Sequence, residues 1–337
     1  MTFYNTSTRP TPSNSSSPSP LCPKFDDATL NIALSVLFLL VFPCALVLNG
    51  IASWISLHLK SRSTFIVYVK NLVAADLLLT LTLPLKAASL EPGITVEVKA
   101  FTCCFSDVIF YCSMYTSIAL MGLISLDRFF KIVQPCGKSL GKSVVFSQVS
   151  SFLVWLVLFG GTGLPTMILT NQPPPASVSE DFCMKMKSLS GLKLHGYVVT
   201  IMNAVFWFAY AVIVFCYIFI TIKVLKSFRS SGSNNSQGKK KTKLRVFLIL
   251  LVFFVCFVPF HVMRIPVTVN EVYGVCTQPW LDVVYTLVLW LATTNSCLDP
   301  LLYIFLCREY KNKLVDMMKA RGISLGWCIE EKDNGTQ

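Results

Sequence analysis

Asp76 is the one charged residue in the apolar run from Val73 to Leu83, and Asp299 interrupts another apolar stretch nearer the C-terminus. A carboxylate in hydrocarbon surroundings is costly and needs partners. Ser117, Asn295 and Ser296 carry oxygens that can complete such a site. Hard oxygen ligands around two acids suit a small cation such as sodium. The other reading is a hydrated hydrogen-bond network with one acid protonated. No further cofactor is implied. A second constellation is cationic. His261 and Arg264 stand three apart and so share a helix face, Lys86 follows Pro84 by two residues, and Lys185 and Lys187 flank Cys183. With Tyr111 and Tyr115 these groups can hold a phosphate and stack a flat ring. The competing reading has Lys86 and Arg264 merely reaching for lipid headgroups. Asp107, one turn below Cys103, either neutralises Arg264 or Lys86 or meets a cationic group on a ligand. A third feature, adjacent Asp127 and Arg128, closes an apolar stretch.

Seven apolar stretches must position these residues: about 30–57, 65–89, 101–130, 145–170, 196–225, 243–268 and 280–306, each near the roughly 20 residues that cross a bilayer as a helix. The chain is 54% hydrophobic and 14% charged, well under the quarter or so that is charged in soluble domains. An open sheet is excluded, because lipid cannot satisfy unpaired backbone groups. The expected fold is an all-α membrane protein, a seven-transmembrane helix bundle with a short amphipathic eighth helix. Its parts are an outer tail over 1–29, the bundle over 30–306, and helix eight with a cytoplasmic tail over 307–337. Helix eight, about 308–319, is expected to lie along the inner membrane surface.

Twenty-one of the 29 Lys and Arg fall in segments 60–70, 128–142, 223–245 and from 308 onward. The positive-inside rule then puts the N-terminus outside. The net charge of +12 is thus a topology signal and argues against nucleic-acid binding; its densest run, Lys239 to Lys243, is a solvated loop attracted to anionic lipid. The Ser- and Pro-rich first 29 residues lack the apolar core of a cleavable signal peptide. Asn5 and Asn14 head glycosylation triplets, usable in an outer tail. The 13 cysteines are odd in number, so at least one is unpaired. Cys22, Cys103, Cys104, Cys183 and Cys276 lie at or beyond the outer surface, where disulfides persist. The expected bridges are Cys103 with Cys183 and Cys22 with Cys276, Cys104 competing with its neighbour. Cys328 is a palmitoylation candidate or an idle thiol.

Enzyme signatures are missing. Gly141-Lys142-Ser143 resembles the end of a phosphate-binding loop, but Gly137 is one residue out of register for it. A light-driven retinal protein needs a lysine in the last span, and residues 280–306 hold none. A transporter or channel stays a remote alternative without internal repeats or paired broken helices.

Asn49, Asp76, Asp127-Arg128, Trp155, Pro259 and Asp299-Pro300 with Tyr303 three residues on, each at a matching depth of its own span, resemble the rhodopsin-like (class A) G-protein-coupled receptors. The resemblance covers about residues 25–320. It implies a non-enzymatic plasma-membrane receptor whose partner is a heterotrimeric G protein, with arrestin as another. Arg128 would engage the G protein once the sixth span swings outward, Asp127 restraining it at rest and Tyr217 and Tyr303 stabilising the open state. Pro259 and Pro300 permit kinks. Finer matches, among them Thr64 to Asn71, Pro84-Leu85-Lys86, Phe110-Tyr111, Phe253 to His261 and Arg264-Ile265-Pro266, are similar to the purinergic receptors for ADP and UDP-sugars and their orphan relatives. Phe257, where most of the class has Trp, and Asp299, where most have Asn, fit that subgroup. The ligand implied is small, extracellular and phosphate-bearing, the G protein of the inhibitory type. Where the nucleotide receptors carry Lys-Glu, this chain has Tyr285-Thr286, which removes one expected phosphate contact. A lysophospholipid with an amino-acid head is the alternative ligand that suits both Asp107 and the cations.

Overall fold

The computed structural model describes residues 28–59, 63–134, 143–178, 182–230, 236–273, 279–306 and 308–320. Cys22, Cys276, Cys328, Asn5 and Asn14 lie outside them, as does the side chain of Tyr303. The described chain is helical: α1 (Ala28–His58), α2 (Thr64–Ala88), α3 (Val96–Ile132), α4 (Val144–Leu169), α5 (Leu189–Ser230), α6 (Ser236–Tyr273), α7 in two segments (Pro279–Thr293 and Asn295–Leu306) and α8 (Arg308–Ala320). Seven are long and apolar enough to cross a membrane, and α8 follows the last directly. Apolar side chains such as Leu40, Phe152 and Phe208 stay exposed, as a lipid-facing surface requires. α3 is the axis: 72% of its most apolar window is buried, against 11% for peripheral α4.

Helix ends extend past the apolar stretches read from sequence. α3 starts at Val96 because Thr95 caps it, its hydroxyl accepting from the Val98 amide at 3.4 Å. α5 starts at Leu189, where the Ser188 hydroxyl accepts from the Gly191 amide at 3.1 Å. Hydropathy senses only the lipid-bound part of a helix, and polar turns continue it into water.

Within hydrocarbon every polar group needs a protein partner. Pro300 has no N–H, so the Ser296 carbonyl one turn earlier loses its helical donor. Asn49 replaces it: its Nδ2 donates to the Ser296 carbonyl at 2.8 Å and to Ala45 at 3.0 Å, fastening α1 to α7. Trp155 Nε1 on α4 donates to Asn71 Oδ1 on α2 at 3.0 Å. Trp290 Nε1 donates to the Leu37 carbonyl at 3.0 Å. Tyr310 on α8 donates to the Ala52 carbonyl at 2.7 Å, which pins α8 to the inner end of α1.

At the outer end a π-helical stretch, Thr102–Ser106, re-phases α3. Cys103 turns inward against Phe182 and Met186 and bonds Cys183, with the two Cα atoms 5.3 Å apart. Cys104 keeps a free thiol, whose Sγ donates to the Thr170 carbonyl at 3.5 Å. The choice that sequence left open between these neighbours is thereby made. Beside this loop, a Cβ at Gly191 would stand 2.7 Å from the Leu169 carbonyl oxygen, so only glycine lets α4 and α5 meet there.

Peptide mapping without reduction should recover Cys103 joined to Cys183 and Cys104 open to alkylation. Cys104→Ser should keep surface expression near wild type by flow cytometry. Cys103→Ser should lose most of it, since losing such a bridge costs about 2–5 kcal/mol.

Candidate functional site

The outer chamber is built from α2, α3, α6 and α7. Arg264 on α6 is 7% exposed. Its guanidinium lies 4.4 Å from the centre of the Tyr111 ring on α3 and 5.7 Å from that of Tyr285 on α7. It donates to the Tyr111 hydroxyl at 3.2 Å and also to that of Tyr285, and the two hydroxyls are 3.1 Å apart. One cation thus ties three helices. Desolvated cation–π contacts contribute about 2 kcal/mol or more.

Lys86 on α2 also approaches Tyr111, its Nζ 5.9 Å from the ring centre, and pairs with Asp107 at 3.0 Å. Of the roles open to Asp107, the structure shows the salt bridge with Lys86. Lys99, on the same helix as Asp107, donates to the Ser89 carbonyl at 2.7 Å and lies within electrostatic reach of both Lys86 and Asp107. Lys86 and Lys99 therefore flank Asp107, with Arg264 close to Lys86, beside a wall of aromatic rings.

His261 and Tyr115 sit one turn deeper. The His261 Nδ1 faces the Phe257 carbonyl at 2.8 Å, and a carbonyl only accepts, so the proton is on Nδ1. Its ring stacks on Phe206 with centroids 3.6 Å apart and meets Tyr115 edge-on at 5.6 Å. His261 Nε2 and the Tyr115 hydroxyl have no hydrogen-bond partner among the described residues. His261 thus belongs to the aromatic floor and not to the cation cluster. Lys187 donates to Thr170 Oγ1 at 3.2 Å, beside Cys104 at the outer end of α4. The partners that sequence reading missed are Phe206, Phe260 and Lys99. Only Lys99 carried a signal, its place two turns before Asp107.

Deeper still, the two intramembrane acids meet. The carboxyls of Asp76 and Asp299 are within hydrogen-bonding reach of each other. Ser117 donates to Asp76 at 2.9 Å and Asn295 to Asp299 Oδ2 at 2.8 Å. Asp299 Oδ1, Asn295 Oδ1 and the Ser113 hydroxyl, all buried, lack hydrogen-bond partners among the described residues. The Ser296 hydroxyl instead bonds the Thr293 carbonyl at 2.8 Å. Just inward, a cavity of about 30 Å³, room for a water molecule, is lined by Asp299, Tyr217, Ser125, Phe253 and Ile249 among others.

At the cytoplasmic end the Asp127 carboxylate accepts from Thr64 and from Lys131, the latter at 2.8 Å. Lys131 stands four residues on, a spacing that announces the pair. The Arg128 guanidinium lies 4.5 Å from the centre of the Phe65 ring. Tyr217, bonded to Ser125, is beside Arg128. Phe257 and Pro259 sit mid-helix in α6, and Phe257 is 1% exposed.

A family profile described as "7 transmembrane receptor (rhodopsin family)" matches residues 27–303. The chain is 40% identical to human purinoceptor 13 over 87% of its length and 83% of that protein's. Bovine purinoceptor 14 is 39% identical, with 83% of this chain and 84% of the relative covered. Mouse G-protein coupled receptor 87 is 37% identical, with 86% and 80% covered.

Removing one member of the Lys86–Asp107 pair strands the other in a mostly buried place. Asp107→Leu should cost about 1–3 kcal/mol of stability, the penalty for a largely buried donor left unsatisfied, read as a lower Tm of the purified protein. The double variant Lys86→Met with Asp107→Leu should recover most of that loss.

Proposed function

Since the chain belongs to the rhodopsin family of seven-transmembrane receptors, multi-pass proteins of the plasma membrane that are not enzymes, we propose that it senses a small extracellular anion, a nucleotide or nucleotide sugar. The observation that carries this reading is Arg264. It is buried between two tyrosine rings, with Lys86 near it and Lys99 beside Lys86, and Asp107 is the acid that pairs with Lys86 among the described residues. Positive charge in excess over aromatic walls suits a phosphate joined to a flat base. The relatives named purinoceptors support the same ligand class. Asp107 already has Lys86 as its counter-ion, so no ligand amine is needed, and the lysophospholipid alternative loses its main attraction. Tyr285 takes a phosphate lysine's place and contributes a hydroxyl and a ring; Tyr111 and Tyr115 line the aromatic side, and His261 and Lys187 frame the pocket from the floor and the outer loop.

Ligand contacts that draw Arg264 change how α6 is held against α3 and α7. Binding that favours an outward-tilted α6 shifts a two-state equilibrium. In this reading Pro259 and Pro300 are bending points, Phe257 moves with α6, and Asp127, which restrains Arg128 at rest, releases it toward an inhibitory-type G protein. Tyr217 and Tyr303 then hold the opened state, and arrestin competes for the same cleft. GTP hydrolysis belongs to the G protein. The unpartnered oxygens of Asp299, Asn295 and Ser113 beside Asp76 and Ser117 support a sodium ion as allosteric modulator, since two adjoining acids call for a cation or a shared proton between them.

In cells expressing the chain and given a panel of nucleotides, nucleotide sugars and lysophospholipids, a nucleotide-type compound should activate G protein. Arg264→Ala should weaken it about 10- to 100-fold, as loss of a charged hydrogen bond worth about 1.5–3 kcal/mol requires; unchanged potency refutes the anionic pocket. Agonist affinity should depend on sodium, and Asp76→Asn should abolish that dependence.

A further inference from the structure

Asp107 stands four residues before Tyr111 on α3, one helical turn or about 6 Å nearer the outside. Its Oδ1 accepts from Lys86 Nζ at 3.0 Å, while its Oδ2 has no hydrogen-bond partner among the described residues. The side chain keeps 22% of its surface exposed, so the second oxygen is open to an incoming group. Lys86 is held in place by its surroundings, its Nζ 5.8 Å from the centre of the Phe110 ring and 5.9 Å from that of Tyr111. Lys99, two turns before Asp107, is fixed to the Ser89 carbonyl at 2.7 Å. These groups succeed one another outward along the chamber. Arg264 lies over the Tyr111 ring, Lys86 is beside the same ring, and Asp107 is one turn farther out. A ligand with its base on the aromatic rings and its phosphates on Arg264 and Lys86 therefore turns its outer end to Asp107.

We infer, on the reading that this receptor senses nucleotides, that Asp107 is a specificity-determining residue that selects nucleotide sugars over nucleotides with a free terminal phosphate. The two ligand classes differ at that outer end. A terminal phosphate is close to a dianion at neutral pH. It has to crowd a carboxylate that already holds the Lys86 ammonium, and like charges so close disfavour one another. A sugar on the outer phosphate removes this charge and brings hydroxyls instead. They donate to the open carboxylate oxygen, and hydrogen bonds to an ionised acceptor are the stronger kind. Both effects act in the same direction. A carboxylate that served only as counter-ion to Lys86 would treat the two classes alike, because both carry the same pyrophosphate.

The test takes the full chain in cell membranes with G protein and measures activation by two matched pairs, ADP with ADP-glucose and UDP with UDP-glucose. Each pair shares its base and pyrophosphate and differs only in the outer end. In the pair whose base the chamber accepts, the glucose ester should be about tenfold more potent than the plain diphosphate, the weight of one charged hydrogen bond. Asp107→Asn, which keeps an oxygen for Lys86, should weaken the ester and strengthen the diphosphate, so that their ratio moves by about tenfold or more. Asp107→Glu should keep the wild-type order. Poor folding shifts both potencies the same way, so opposite signs separate selection from a structural role. A wild type that favours the plain diphosphate, or a ratio unchanged in Asp107→Asn, would overturn the inference and leave the nucleotide reading standing. No response to any of the four compounds would overturn both.

Discussion

Lipid offers no hydrogen bonds, and the rest of the structure depends on that constraint. A polar atom carried into the bundle is costly unless another polar atom meets it, so a few polar side chains set which helices touch and at what height. The clearest case is Asn49. Pro300 leaves the Ser296 carbonyl without its helical donor, and the Asn49 amide fills the gap from α1. One missing N–H on α7 thus decides where α1 packs. The Trp155–Asn71 bond does the same for α4 and α2.

The same constraint explains the vertical order of the site. Charges at the outer mouth pair with one another or with rings: Lys86 with Asp107, Arg264 with Tyr111 and Tyr285. Below them α6 presents aromatic surface. His261 stacks on Phe206, Phe206 on Phe253 with centroids 6.0 Å apart, and Phe253 touches Phe257 at 5.0 Å. Phe253 also lines the small cavity shared by Asp299 and Tyr217. Packed rings are hard to deform continuously, so the aromatic stack makes the middle of α6 stiff between Arg264 and Phe253.

Much of this was legible in the residues themselves. Acids and amides stranded in apolar runs pointed to Asp76, Asp299 and Asn49, because their cost in lipid makes them rare unless used. The spacing of His261 and Arg264 gave a shared face, and the outer position of Cys103 and Cys183 gave a disulfide. The spacing did not show that His261 faces Phe206 while Arg264 faces the tyrosines, because a three-residue step leaves them on one side without fixing their neighbours on other helices. Lys187 likewise reads as one of several outer cations, and only the folded loop takes it to Thr170 at the end of α4.

Hydrophobicity and charge are properties of each residue and sum along the chain, so the sequence by itself determined the seven crossings, their direction and the list of costly polar residues. Partnership is a relation between residues far apart in that chain, and it was left to the tertiary structure. Whether Asp107 meets Lys86 or Arg264, whether Cys103 or Cys104 reaches Cys183, and which carbonyl Asn49 serves depend on the rotation of each helix about its axis. That rotation is fixed by the packing of all its neighbours at once, and by local turns such as the π-helical stretch at Thr102–Ser106 that no hydrophobic pattern encodes.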